Sequence, residues 1–154
     1  MQSIIARTRR QMNAGLTYLQ SPFLLLVRLY WGWQFVQTGL GKLHHLARVT
    51  GFFTDLGIPF PHVNAIWVTL LELVGGILMA VGFLSRPVAF LLAADMLVAY
   101  LTADRGAFTA FFSDPGKFSA AAPFTFLAAS LVILIFGPGR FAVDAIFNRW
   151  GAEE

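Results

Sequence analysis

Four apolar stretches, each close to the length needed to cross a bilayer, constrain this chain more than any other feature. Three of them carry a full charge: Arg28 in the first, Glu72 in the second and Asp95 in the third. A charge at membrane depth costs from about 2.5 kcal/mol upward, so such groups face a protein interior, where they pair with one another or mark a site. The pattern predicts an all-α fold, a four-transmembrane-helix bundle with a polar interior. Composition agrees. Of 154 residues, 57% are hydrophobic and 12% charged, against about 25% charged in a soluble domain. A core this small cannot bury that apolar surplus, so lipid must cover the rest.

The spans fall at about 22–41, 64–83, 87–103 and 123–136, giving a membrane domain over 22–147 with a short tail, 148–154, behind it. Ahead of it, residues 1–21 carry Arg7, Arg9 and Arg10. They read as an amphipathic surface helix with Ile4, Ile5, Met12 and Leu16 on one side. A cleaved leader is disfavoured, because Arg28 interrupts the apolar run and no small-residue cleavage site follows it. Pro22 suits the first turn of a span, where its missing donor costs nothing. Residues 42–63 read as a loop on the bilayer interface, punctuated by Gly51, Gly57, Pro59 and Pro61 and bearing Phe52, Phe53 and Phe60. Residues 104–121 form a second phenylalanine-rich loop. The turn at Ser85, Arg86 and Pro87 is short, which makes the second and third spans antiparallel neighbours. The fourth span is the shortest, below the usual minimum of about 17 residues.

Four spans place both termini on one side, with Arg7, Arg9, Arg10, Arg86, Arg140 and Arg149. Lys42, Arg48, Arg105 and Lys117 fall on the other. The excess of cations puts both termini in the cytoplasm, and the expected location is the cell inner membrane, crossed several times.

Residues three, four and seven apart share a helix face. On that spacing the first span lines up Arg28, Gly32, Phe35, Gly39 and Lys42, and the second Glu72, Gly75, Gly76, Met79 and Gly82. The third lines up Leu91, Asp95, Ala99 and Thr102. Each helix thus has one face of small residues and charges, where another backbone can approach closely. At about 1.5 Å per residue, Arg28 lies about 9 Å and Asp95 about 12 Å from one surface, and Glu72 about 12 Å from the other. These depths predict two ion pairs, Arg28 with Asp95 and Lys42 with Glu72.

Gln34 and Gln37 form a second polar line on the first span, suited to helix contacts or to a carbonyl-bearing ligand. His44, His45 and His62 lie in or near the first loop. One of the adjacent pair with His62 would be needed to ligate a haem or metal, and an interfacial role is the favoured reading. Trp31, Trp33, Trp67 and Trp150 read as interfacial anchors or packing, with Trp31 beside Arg28 open to a stacking role. The chain has no cysteine, which excludes an iron–sulfur cluster, a dithiol or a cysteine zinc site within it. Nucleophile elbows, phosphate loops and nucleotide fingerprints are missing. The cations sit at helix ends rather than on one stripe, so nucleic acid is not an expected partner.

Several segments together resemble the DoxX family of small four-helix membrane proteins. They are GLGKL at 39–43, FFTDLGIP at 52–59, ELVGGILMAVGFLSRPVA at 72–89, DMLVAYLTA at 95–103 and FGPGRFAVDAIF at 136–147. The resemblance covers about residues 24–147. It implies a membrane subunit of a respiratory or detoxifying oxidoreductase system, with quinone as the small-molecule partner and a redox protein as the macromolecular one. Carried over by residue, it points to Arg28, Lys42, Glu72 and Arg86, to which the charge pattern adds Asp95. In that reading Glu72 and Asp95 relay protons as the catalytic pair. Arg28, Lys42, Gln37 and His44 donate to the quinone carbonyls, with Arg86 at the turn, while Trp31 and Phe35 pack on the ring. No metal is expected, and haem is the lesser alternative to quinone. Two other functions compete: a non-catalytic scaffold whose small-residue seams bind other helices, and a carrier for a proton or small solute. A carrier would require homo-oligomers.

Overall fold

A computed structural model describes the backbone of residues 2–150 and the side chains of residues 18–147. Eight helices follow one another among the described residues: α1 (Gln2–His44), α2 (Leu46–Asp55), α3 (Pro61–Val81), α4 (Ser85–Thr102), α5 (Arg105–Thr109), α6 (Pro115–Ala120), α7 (Pro123–Phe136) and α8 (Val143–Trp150). Helices α3 and α4 are each long and apolar enough to cross a membrane, and α7 is a shorter apolar helix of 14 residues.

The first element departs from the sequence expectation. Pro22 does not open a span; it lies inside α1, a single helix of 43 residues. An interior proline forfeits one backbone bond at about 3 kcal/mol, yet strong helix formers on both sides carry the rod through it. At 1.5 Å per residue the rod is about 64 Å long, twice the hydrocarbon thickness of about 30 Å. The expected amphipathic face of Ile4, Ile5, Met12 and Leu16 falls outside the described side chains.

Both expected loops hold helices. α2 occupies much of the first one and buries none of its residues fully. Phe60 takes a left-handed backbone just before Pro61, which opens α3 at the position where proline is tolerated. In the second loop, the Asp114 side chain accepts from Lys117 N and starts α6. The Tyr100 hydroxyl donates to Phe118 O at 2.8 Å, and the two rings stack with centroids 4.9 Å apart.

Helix α1 packs along α3, and α4 along α7; the α3–α4 and α1–α7 contacts join the two pairs. The core between them includes Leu24, Phe35, Met79, Leu92, Met96 and Ile133. The small-residue lines are spent inside this fold. A Cβ on Gly39 would lie 2.6 Å from Leu73 N, and one on Gly76 would lie 2.7 Å from Gly32 O. The α1 and α3 backbones therefore touch at these glycines, so the seams are not free for another protein's helix. The third span differs in face. α4 turns Val88, Ala89, Leu92 and Met96 into the core and leaves Leu91 exposed, because larger apolar groups fill the gap to α7. Outward faces are largely apolar, with Leu26 and Trp33 on α1, Leu70 and Ile77 on α3, and Phe90 and Leu97 on α4 all exposed. Apolar surface this extensive marks contact with lipid.

Candidate functional site: an apolar cavity beside Lys42, Glu72 and Asp95

Two polar centres lie at opposite ends of the bundle, one beside a shallow, mixed-polarity cavity of about 600 Å³ at Arg86, Pro138 and Asp144 and one at the end of an apolar cavity. Arg28 and Lys42 are 14 residues apart on α1, about 21 Å along its axis.

At the first end Arg28 is buried to 1% exposure. It does not meet Asp95. Its guanidinium donates to Pro138 O at 2.9 Å and Phe141 O at 2.7 Å. The segment between α7 and α8 returns over the bundle and presents carbonyls that have no helical partner, and a planar multi-donor group satisfies both at once. Gly82, which ends α3 with φ +74°, sits against this guanidinium and leaves no room for a Cβ. Asp144 completes the latch. Its carboxylate accepts from Leu84 N and Ser85 N at 2.8 Å each, capping α4, while its own N–H donates to Gly82 O at 2.9 Å. Arg86 is exposed beside Gly137 at this same end.

At the other end a cavity of about 530 Å³ opens between α2, α3 and α4. Phe52, Phe53, Leu56, Val68, Met96 and Val98 give it apolar walls, and Lys42, Glu72 and Asp95 form its polar end. Lys42 Nζ donates to Glu72 Oε1 at 2.6 Å, with the carboxylate side chain 2% exposed and the lysine 29%. The Asp95 side chain lines the same cavity as Glu72. Glu72 Oε2 and Asp95 Oδ2 are both buried without a hydrogen-bond partner. Orphaned carboxylate oxygens beside open apolar space are where a donor-bearing or protonated partner belongs.

The cavity gathers Lys42, Glu72 and Asp95 from the sequence-derived candidates, and leaves the rest elsewhere. Phe35 is fully buried and, like Trp31, packs edge-on against Phe126 in the core. Gln37 and His44 are exposed on α1, and His44 Nδ1 pairs with Leu40 O in its own helix. Arg28 and Arg86 belong to the latch end. Arg48 and Asn64 line the cavity and were not singled out from sequence. The signal for Arg48 is its place on the amphipathic ten-residue helix α2, within the segment whose glycines and prolines predict a loop. Asn64 gave little, and its side chain already donates to Pro59 O.

No curated protein and no solved structure matches the chain. The DoxX family model matches residues 23–105, which include Arg28, Lys42, Glu72, Arg86 and Asp95 and stop short of the 136–147 tail. With more than half of its length matched, this membrane protein belongs to the DoxX family.

Proposed function

We propose that the chain is a four-span subunit of a membrane redox system and that its cavity receives the head of a quinone. The supporting observation is the cavity itself: apolar walls ending on a buried Lys42–Glu72 pair with the Asp95 carboxyl beside it. A pocket with apolar walls and a few convergent polar groups is the ordinary form of a small-molecule site. A lipid-soluble carrier with a polar ring fits that division, its tail toward the phenylalanines of α2 and its ring toward the charges. When bound, a quinone would supply two-electron, two-proton chemistry. The residues that would hold it are Lys42, which donates, and Glu72 and Asp95, which accept or give protons.

In this reading α1, α3, α4 and α7 cross the inner membrane with both termini in the cytoplasm. The cavity then opens toward the outer face, roofed by α2 on the interface. Electrons come from a partner protein. The seam-bound scaffold is the weaker reading, since Gly32, Gly39 and Gly76 already serve the α1–α3 contact.

The test is extraction of bound lipid from protein purified gently from its native membrane, with quinone measured by mass spectrometry. Near-stoichiometric quinone, lost in a folded Glu72→Gln variant, is expected. Quinone at the level of bulk lipid would contradict the reading.

A further inference from the structure

The two orphaned oxygens at the cavity's polar end carry a consequence of their own. Glu72 uses Oε1 for Lys42, and its Oε2 and the Oδ2 of Asp95 remain buried and unpaired although both side chains line the same cavity. Ionised carboxylates only accept, so two of them cannot satisfy one another. A single proton between them resolves this, because one carboxyl becomes a donor and the other its acceptor.

The charges agree. From α1 comes the Lys42 ammonium, from α3 the Glu72 carboxylate and from α4 the Asp95 carboxyl. The remaining cation at the cavity, Arg48 on α2, is exposed. With both carboxyls ionised, the buried end would hold one negative charge that Lys42 cannot balance, and uncompensated charge in an apolar site is costly. One added proton makes the group neutral.

We propose that Glu72 and Asp95 share one proton, so that the cavity ends on a lysine–carboxylate–carboxylic acid group that presents this proton to its occupant. Sharing a proton breaks and forms only O–H bonds and moves no electrons. The clause on the occupant rests on the quinone reading; the shared proton does not.

Infrared difference spectroscopy of the full chain in detergent, at neutral pH and without added ligand, tests this. A protonated-carboxyl C=O band that moves to lower frequency in D₂O is expected. It is lost in both Asp95→Asn and Glu72→Gln, because each change leaves a single carboxylate for Lys42. Selective ¹³C labelling of aspartate and glutamate carboxyls in the wild-type chain assigns the band independently of whether either variant folds. Absence of the band, its survival in both variants, or its failure to shift with either label would overturn the proposal. The band is read without ligand, so its absence leaves the quinone reading standing. Likewise, a missing quinone leaves the band intact.

Discussion

Lys42 and Glu72 show how much one contact decides. Glu72 is 2% exposed, so removing Lys42 strands a carboxylate where water cannot reach it. Breaking a fully buried pair costs about 3–5 kcal/mol. Lys42 keeps 29% of its side chain exposed, which brings the expected loss for Lys42→Met to about 2 kcal/mol. The double change Lys42→Met with Glu72→Gln is expected to lose less than Lys42→Met alone. Thermal unfolding followed by size-exclusion chromatography measures both, and simple additivity would deny the pair. At the other end, Arg28→Ala leaves two carbonyls without donors. About 3 kcal/mol of stability should go with them, together with faster proteolysis of the tail in limited-digestion experiments. Of the two ion pairs expected from helix depth, Lys42–Glu72 forms because two helices in close glycine contact set those residues opposite one another. Arg28 finds carbonyls instead, and no spacing rule announces a return of the chain 110 residues later.

Among the elements, the glycine seams sort cleanly. Gly39→Ala and Gly76→Ala must push α1 and α3 apart, since their Cβ atoms would meet backbone below 3 Å. Each is expected to cost about 1–3 kcal/mol. Gly41→Ala and Gly51→Ala meet nothing within 4 Å and lie in helices α1 and α2. Helix propensity should make each neutral or stabilising, by up to about 1 kcal/mol. A thermal-shift series across the four variants checks the division, and equal effects would contradict it. These seams were legible because 3.6-residue periodicity and small residues are local properties of sequence. The face of α4 was less legible. Asp95, Ala99 and Thr102 of the expected line do face the cavity, while the packing of Val88, Leu92 and Met96 in the core depends on a helix distant in the chain. Pro22 misled for a related reason, since a local start signal was outweighed by helix formers on both sides. α2 was hidden by its glycine at position 51, which sits in open space and interrupts nothing.

For the whole molecule, the proposed topology places α5, α6 and their loop outside and the α7–α8 turn inside. The chain has no cysteine, so single replacements report cleanly. In intact cells, Gly116→Cys should react with a membrane-impermeant maleimide and Arg140→Cys should react only after lysis; the reverse pattern would invert the bundle. The central claim concerns the cavity at the outer end. It is tested most directly by photolabelling the membrane-embedded protein with an azidoquinone and mapping the adduct by mass spectrometry. The account predicts labelling on α2 and the second half of α4, at residues such as Phe53, Val98 and Ala99, competed by unmodified quinone and lost in Glu72→Gln. Adducts clustered instead around Arg28 and Arg86, or spread evenly over the lipid-facing surface, would contradict it.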